Sequence, residues 1–188
     1  KDLMATLDIW DLQLVNYGNK VIERRKIFIE QMNEIIGSVH EKLTGGKERL
    51  QLVYEPGVKN DNFEETLLKN RERDLRMKSS SVGPHRDDIC FLCGDLDIRK
   101  FGSQGQQRTA ALSLKLAEIE LVKQEVKDTP ILLLDDVLSE LDKNRQNYLL
   151  DSINDVQTLI TCTGLDDFVN KRFSINKILH VEQGHVKT

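Results

Sequence analysis

Apolar side chains recur at intervals of three and four through the first 43 residues, which is the spacing of an amphipathic helix. Gly18 is a candidate break in this helix, and Gly45-Gly46 is a candidate C-terminal cap. A long, narrow apolar seam of this kind packs on other helices, and few other helices are predicted in this chain. We therefore expect residues 1–46 to be part of a helical lobe whose other helices lie upstream. The seam comprises Leu3, Leu7, Trp10, Leu14, Tyr17, Val21, Phe28, Met32, Ile35, Val39 and Leu43.

Residues 47–101 change to a pattern of strands, turns and one short helix. Residues 50–55 alternate loosely and then meet a Pro-Gly pair, which predicts a strand that ends in a turn. Asn62 and Glu65 have the spacing of a capping box and predict a helix to about Met77, so that residues 58–80 form a helical excursion. Residues 89–93 and 96–101 flank Gly94-Asp95 and predict a hairpin.

The last part of the chain, from residue 104, alternates long helices with apolar strands. Residues 104–126 have two apolar stripes, which predicts a helix pressed against a sheet. A strand at 131–135, a helix at about 143–153, a strand at 158–163, a short helix and a closing strand pair around Gln183-Gly184 follow. Buried strands that alternate with helices indicate a parallel α/β sheet, with strand 131–135 covered on both faces.

Composition limits the class of protein. The 188 residues are 39% hydrophobic and 31% charged, which indicates a globular chain. Three cysteines form no disulfide framework, so we expect a reducing, cytoplasmic setting, and no apolar run is long enough for a membrane. The net charge of −4 leaves nucleic-acid binding open, because basic surfaces are local.

The segment from Ser103 to Arg108 has the chemistry of an anion site. Ser103 and Gln106 have capping-box spacing at the start of the long helix. The first turn contains no acid, although acids are favoured there, and Gly105 allows close approach of a ligand. This pattern is typical of phosphate binding at a helix N-terminus, and the alternative is an ordinary capped helix with a polar turn.

A second candidate site follows at the end of the apolar strand. Asp135 and Asp136 stand at the carboxyl end of residues 131–134, where open α/β sheets bind ligands. One carboxylate can hold Mg²⁺ and its neighbour can orient an attacking water. The alternative is a solvated acidic turn. Asp142 completes a Ser-Glu-Leu-Asp segment and is a candidate N-cap of the next helix.

Together these residues resemble the ABC ATPase superfamily. Residues 102–106 resemble its signature motif, 131–136 its Walker B motif and 139–142 its D-loop. Within the superfamily the chain is similar to the RecF family, through the strings SVGPHRDD at 81–88 and RKFGSQGQQRT at 99–109 and Leu134-Asp135-Asp136. The resemblance covers essentially the whole chain. It implies the C-terminal half of an ABC-type P-loop ATPase head, a mainly parallel sheet flanked by helices, in residues 47–188.

The resemblance also implies a function. RecF-like proteins bind ATP and Mg²⁺, dimerise around the nucleotide, bind double-stranded and gapped DNA, and work with RecR and RecO to help load RecA. By this likeness Ser103, Gly105 and Gln106 contact the γ-phosphate held by the opposite protomer. Asp135 serves Mg²⁺, Asp136 takes the catalytic carboxylate position, and Asp142 reaches across the dimer interface.

Three departures from the superfamily pattern qualify that function. Asp136 replaces the usual Glu and is one methylene shorter, which favours slow hydrolysis. Thr161-Cys162-Thr163 occupies the strand end where the superfamily has its switch histidine. No Gly-x-x-x-x-Gly-Lys-Ser/Thr motif occurs in the sequence, so we expect the N-terminal half to supply it. We expect the full-length dimer to be a weak ATPase and this chain alone to be inactive.

Other clusters allow more than one interpretation. Cys90 and Cys93 lack further ligands at zinc spacing and point to opposite faces of a strand, so we expect two small core residues. The segment His85-Arg86-Asp87 is either an ion-paired brace between lobes or a DNA contact, and we favour the brace. Two basic stretches are either solvated helix faces or DNA contacts, and the resemblance favours DNA on at least one of them. Their candidate residues are Arg24, Arg25, Lys26, Lys69, Arg71, Arg73 and Arg76.

Alternatives to a DNA-repair ATPase come from the same superfamily and from outside it. A transporter nucleotide-binding domain is disfavoured by the long amphipathic first helix and the missing switch histidine. A chromosome-organising head of the SMC kind requires coiled-coil arms of hundreds of residues. A non-catalytic interaction module is the remaining interpretation of the isolated chain.

Overall fold

The computed structural model describes residues 2–58, 62–163 and 177–187 and divides into two compact units, residues 1–128 and 129–188. The boundary that we place between residues 46 and 47 stays a prediction. None of the helices in the described part of the chain is both long and apolar enough to cross a membrane.

Helix α1, Asp2–Leu43, confirms the long first helix, but the predicted seam is buried only toward its C-terminal end, at Met32 and Leu43. Trp10 and Tyr17, which belong to that seam, are 59% and 62% exposed. The buried stripe lies beside them and includes Gly18, Ile29, Met32, Ile36 and His40.

Gly18 does not break α1, contrary to the expectation from its sequence. A Cβ atom at this position would lie 2.4 Å from Cε1 of Phe63, a fully buried ring on the next helix. The glycine therefore allows two elements to pack closely. Gly45 and Gly46 end the helix as predicted, with φ angles of +67° and +80°, and the Gly46 amide donates to the Glu41 carbonyl at 2.8 Å.

The first unit contains an antiparallel sheet of three strands, β1 (Leu50–Glu55), β2 (Asp88–Cys93) and β3 (Leu96–Asp97). The hairpin at Gly94-Asp95 is confirmed, with Leu96 opposite Cys93. The predicted strand at 96–101 is wrong beyond Asp97. The Asp97 carboxylate accepts a hydrogen bond from the Arg99 amide at 3.0 Å and caps a helical turn, α3 (Ile98–Phe101).

Two helices flank this arrangement. Helix α4, Gln104–Val126, has the predicted bounds. It packs chiefly on α1, so the prediction that it is pressed against a sheet is wrong. Helix α2, Phe63–Met77, is also confirmed, but its predicted capping box is wrong. The Asn62 side chain makes no capping hydrogen bond, and Glu65 instead pairs with Lys69 at 2.5 Å. The core shared by α1, β1, α3 and α4 comprises Ile29, Met32, Ile36, Leu50, Leu52, Ile98, Ala110, Ala117 and Leu121.

The second unit contains the predicted parallel pair, β4 (Leu132–Asp135) beside β5 (Thr158–Thr161), joined through a 3-10 helix at Val137–Glu140 and α5 (Lys143–Ser152). Strands β6 (His180–Glu182) and β7 (His185–Lys187) form the closing pair around Gln183-Gly184. The short helix expected after residue 163 lies outside the described residues.

The expectation that strand 131–135 is covered on both faces is wrong for the described residues. Leu134 is buried, together with Leu149 and Leu150 of α5. Ile131 and Leu133 are 62% and 71% exposed, because alternate residues of a strand point to opposite faces.

We predict that Gly18→Ala lowers the free energy of unfolding by about 1–3 kcal/mol, because the new methyl group must displace the buried Phe63 ring. The control is Gly105→Ala, where a Cβ would have only Ser103 Oγ near it, at 4.0 Å. That change should be neutral or stabilising by about 0.5–1 kcal/mol. Urea unfolding measures both, and equal stabilities of the two variants would contradict the close contact.

Candidate nucleotide site and basic surfaces

The N-terminus of α4 carries the predicted capping box. Ser103 Oγ accepts a hydrogen bond from the Gln106 amide at 3.3 Å, and the Ser103 amide donates to Gln106 Oε1 at 2.9 Å. Both bonds satisfy donors that a helix start leaves without partners. The capping prediction is therefore confirmed.

The turn that leads into α4 depends on a close backbone contact at Gly102. Its φ of −71° is open to any residue, so the sharp turn does not need glycine for its dihedral angles. A Cβ there would instead lie 2.5 Å from the Ile98 carbonyl oxygen. The Gln107 side chain donates to the Ile98 and Gly102 carbonyls, both at 3.3 Å, and fastens this turn.

The same helix start presents exposed polar residues, and the one carboxylate that contacts its first turn, Glu48, comes from the loop after α1. Ser103, Gln104 and Gly105 are exposed, and the first turn of α4 contains no acid. The helix dipole and the backbone amides favour an anion at such a position. The Gln106 side chain is held within the chain, because its Nε2 also donates to Glu48 Oε1 at 2.9 Å. Sequence reasoning missed this contact with a residue 58 positions away.

Asp135 and Asp136 stand, exposed, at the carboxyl end of β4. The Thr161 hydroxyl on the neighbouring strand donates to Asp135 Oδ1, and the Asp136 amide donates to the Thr161 carbonyl at 3.1 Å. Asp136 has a φ of +51°, a left-handed conformation that aspartate tolerates. Carboxylate oxygens at this position have the chemistry that Mg²⁺ prefers. Thr161, at the strand end that lacks a switch histidine, orients one of these carboxylates.

Asp142 caps α5, as its sequence position predicts. Its Oδ1 accepts from the amides of Asn144 and Arg145 at 3.1 and 3.0 Å, and its Oδ2 pairs with Arg145 Nη1 at 2.7 Å. Asp135, Asp136 and Asp142 all lie in the second unit, whereas the α4 start lies in the first.

Asp87 forms an ion-paired brace, as predicted, but within the first unit, between α1 and the loops at the end of the first sheet. A brace between lobes stays a prediction. Its side chain is only 3% exposed and pairs with Arg25 Nη1 at 2.7 Å. The Tyr54 hydroxyl and the Gly57 amide, at 2.9 Å, donate to the same carboxylate. Arg25 also donates to the Pro84 carbonyl. Burial and the hydrogen bond to Asp87 raise the pKa of Tyr54 to about 12, and the same carboxylate raises the pKa of Arg25.

The predicted basic residues differ in how they are engaged. Arg71 pairs with Asp8 at 2.6 Å and with Asp11, which fastens α2 to α1, and Lys69 pairs with Glu65. The remaining candidates are exposed and form no ion pair within the described part of the chain. These are Arg24, Lys26, Arg73 and Arg76.

The two cysteines of β2 point to opposite faces, as predicted from their spacing. Cys90 is buried, and burial, followed by a hydrogen bond with Asp97, raises its pKa. Cys93 is partly exposed and lies 3.7 Å from the buried His40 ring. The two thiols therefore have separate surroundings.

Comparison with known proteins identifies similar chains. No family model matches. The chain is 59% identical over 186 residues to the DNA replication and repair protein RecF of Lachnospira eligens and 58% identical over 186 residues to that of Agathobacter rectalis, with 99% of this chain and 51% of each relative covered. RecF of Clostridium perfringens is 41% identical over 186 residues, 96% of this chain and 52% of the relative. The chain thus spans about half the length of the curated relatives it matches.

Solved structures give the same result. The structure of the recombination mediator protein RecF-ATP in the RecFOR pathway matches with a TM-score of 0.79 and 35% identity, over 100% of this chain and 50% of that chain. The corresponding RecF-ATPrS structure matches with a TM-score of 0.79 and 34% identity, over 97% and 50%. The fold is therefore that of the C-terminal half of an ABC-type ATPase head.

We predict that Asp87→Ala lowers the free energy of unfolding by about 1–3 kcal/mol, because it leaves the half-buried Tyr54 hydroxyl, the Gly57 amide and the Arg25 cation without their shared acceptor. The neighbouring Asp88 is the matched control, since its pair with Arg99 at 2.5 Å joins side chains that are 55% and 40% exposed. Asp88→Ala should cost less than about 1 kcal/mol. Chemical denaturation decides the comparison, and an equal cost at both positions would refute the brace.

Proposed function

We propose, from the premise that this chain belongs to the RecF family of DNA replication and repair proteins, that it provides half of a composite ATP site in a DNA-binding repair ATPase. The observation that carries the proposal is the exposed N-terminus of α4, which has a reciprocal Ser103–Gln106 capping box and no acidic residue in its own first turn. A helix start of this kind receives a phosphate group. The relative whose structure is described as RecF-ATP matches 100% of this chain, which covers 50% of that relative.

The site is assigned to two copies of the chain. Ser103, Gly105 and Gln106 contact the γ-phosphate of a nucleotide held by the opposite protomer. The exposed surface at Ser103 and Gly105 supports this role, because nothing in the first unit covers them among the described residues. ATP therefore joins two copies, which separate after hydrolysis.

The acidic strand end has the donors that suit Mg²⁺, since Asp135 is exposed and its orientation is set by the Thr161 hydroxyl. Mg²⁺ supplies charge neutralisation of the phosphates when it is bound. Asp136 orients the attacking water, and its short side chain makes hydrolysis slow. Asp142 reaches across the interface between the two copies.

The biological partners follow from the family and from the pathway that a solved relative names. The RecF-ATP structure is described as a recombination mediator in the RecFOR pathway. We assign this protein the same partners, RecR and RecO, and a role at DNA gaps in helping to load RecA. The DNA is bound as double-stranded and gapped forms by the ATP-bound dimer.

The ion pairs narrow the set of residues that we assign to DNA. Arg25 and Arg71 are held by carboxylates of the same chain and serve to join elements. Arg73 and Arg76 on α2, with Arg24 and Lys26 on α1, remain exposed and able to meet phosphates. We therefore assign the phosphate contacts to these four residues first.

Ser103→Arg in the full-length protein should leave ATP binding intact and weaken ATP-dependent dimerisation at least about tenfold, because a bulky side chain fills the phosphate-facing surface. Ser38→Arg, on an exposed position of α1, is the control and should dimerise normally. Light scattering with and without ATP measures both. Dimers of normal affinity in the Ser103→Arg variant would show that α4 does not contact the second nucleotide.

The double substitution Arg73→Gln and Arg76→Gln should weaken DNA binding. It should also reduce the slope of the logarithm of the affinity against the logarithm of salt concentration by about one for each lost phosphate contact. The control is Lys115→Gln, since Lys115 pairs with Glu118 at 2.9 Å on α4. Affinity for duplex DNA is measured by fluorescence anisotropy across a salt series with ATP present. An unchanged salt slope in the double variant would remove α2 from the DNA surface.

A further inference from the structure

We propose that His40, Glu48 and Cys93 form a binding site for one divalent cation of the zinc class. The site lies where the end of α1, the loop that follows it and the end of β2 meet. All three residues offer one ligand atom, and these atoms lie within 4.8 Å of one another. Imidazole, thiolate and carboxylate are the three ligand types that zinc uses in proteins.

The spacing of the ligand atoms fits a tetrahedral ion. His40 Nε2 lies 3.5 Å from Glu48 Oε2 and 3.7 Å from Cys93 Sγ. Tetrahedral zinc at ordinary bond lengths separates nitrogen from oxygen by about 3.4 Å and nitrogen from sulfur by about 3.6 Å. These two distances suit an ion bound to His40 and to each of its neighbours, and the Glu48 and Cys93 ligand atoms lie within 4.8 Å of each other.

A chain of hydrogen bonds orients the imidazole for this role. His40 is fully buried, and its Nδ1 lies 2.8 Å from Ser113 Oγ. The Ser113 hydroxyl donates to the Thr109 carbonyl at 2.7 Å, so that it accepts a hydrogen bond from Nδ1–H. The neutral ring then has its lone pair on Nε2, the atom that faces Glu48 and Cys93. Metal-binding histidines are usually held in this way through their second nitrogen.

The carboxylate is oriented as well. Glu48 Oε1 accepts from Gln106 Nε2 at 2.9 Å, which leaves Oε2 facing His40. The Glu48 amide donates to the Thr44 hydroxyl at 3.2 Å, and that hydroxyl also lies 2.9 Å from the His40 carbonyl. Such outer contacts fix the position of a ligand before the metal arrives.

Cys93, at the end of β2, provides the third ligand, and its sulfur gives the site a preference for a thiophilic ion. Its side chain is partly exposed, as is that of Glu48, so solvent can reach the ion and provide a fourth ligand. When the metal–sulfur bond forms, the thiol proton passes to solvent. Cys90 takes no part, because it lies on the opposite face of β2.

The position of the site suggests what a bound ion does. Gln106 joins it to the capping box of α4 through one side chain, which donates to Glu48 and accepts from Ser103. The ion would therefore fasten the loop after α1 to β2 and to the start of α4. This role concerns the stability of the first unit and does not depend on ATP binding.

Cobalt(II), a spectroscopic substitute for zinc, tests the site in the full-length protein after treatment with a chelator and without nucleotide. We expect one equivalent to bind with tetrahedral d–d bands and a thiolate-to-cobalt charge-transfer band, and zinc to displace it. Cys93→Ser should abolish the charge-transfer band and weaken binding at least about tenfold. Cys90→Ser is the matched control and should bind as the parent protein does. A charge-transfer band that persists in Cys93→Ser would overturn the proposal.

A second measurement covers the case in which a ligand variant folds poorly. Zinc should raise the thermal unfolding midpoint of the parent protein and of Cys90→Ser by several degrees, since a ligand that binds only the folded state stabilises it. Glu48→Gln should reduce this shift and Cys93→Ser should remove it. If zinc leaves the midpoint of the parent protein unchanged, the three side chains form only a buried ion pair beside a thiol.

Discussion

The packing of α1 against both β1 and α4 is the constraint on which the first unit depends. Met32 and Ile36 of α1 are fully sequestered, between Leu52 of β1 and Ala117 of α4 in the same core. Ala110 and Ala117 of α4 lie in this core, so the packing holds in place the helix whose start is set locally by its capping box. An anion site at a helix N-terminus works only if that end is held in place. The apolar core therefore holds in place the polar N-terminus of α4.

Polar contacts then refine that arrangement at two points along α1. Near its middle, Arg25 meets the buried Asp87 and ties the helix to the loops after β1 and α2. Near its C-terminus, His40 contacts Ser113 of α4, while Glu48 in the following loop receives Gln106. Each contact joins elements that are distant in sequence. Such buried or half-buried pairs specify one arrangement more strongly than exposed pairs such as Lys115 with Glu118.

Local features of the chain could be predicted from its sequence, and long-range ones could not. The bounds of α4, its capping box and the Asp142 cap depend on neighbouring residues, and all were predicted correctly. The buried face of α1 was predicted correctly at Met32 and Leu43 but not at Trp10 and Tyr17. Two adjacent apolar stripes have the same spacing, and only tertiary contacts choose between them. Asn62 failed as a cap through its backbone geometry, with φ of −97° and ψ of 32°. Thr161 and Glu48, which orient site residues, gave no local signal.

The central claim is that the α4 start meets a nucleotide held by a second copy. An ATP analogue with a photoactivatable group on its γ-phosphate tests this directly in the full-length protein. Trypsin releases residues 101–108, which contain Ser103, Gly105 and Gln106, as one peptide. The account predicts that this peptide is labelled, and that its labelling falls on dilution while total nucleotide binding persists. Labelling that is absent from this peptide, or independent of protein concentration, would contradict the account.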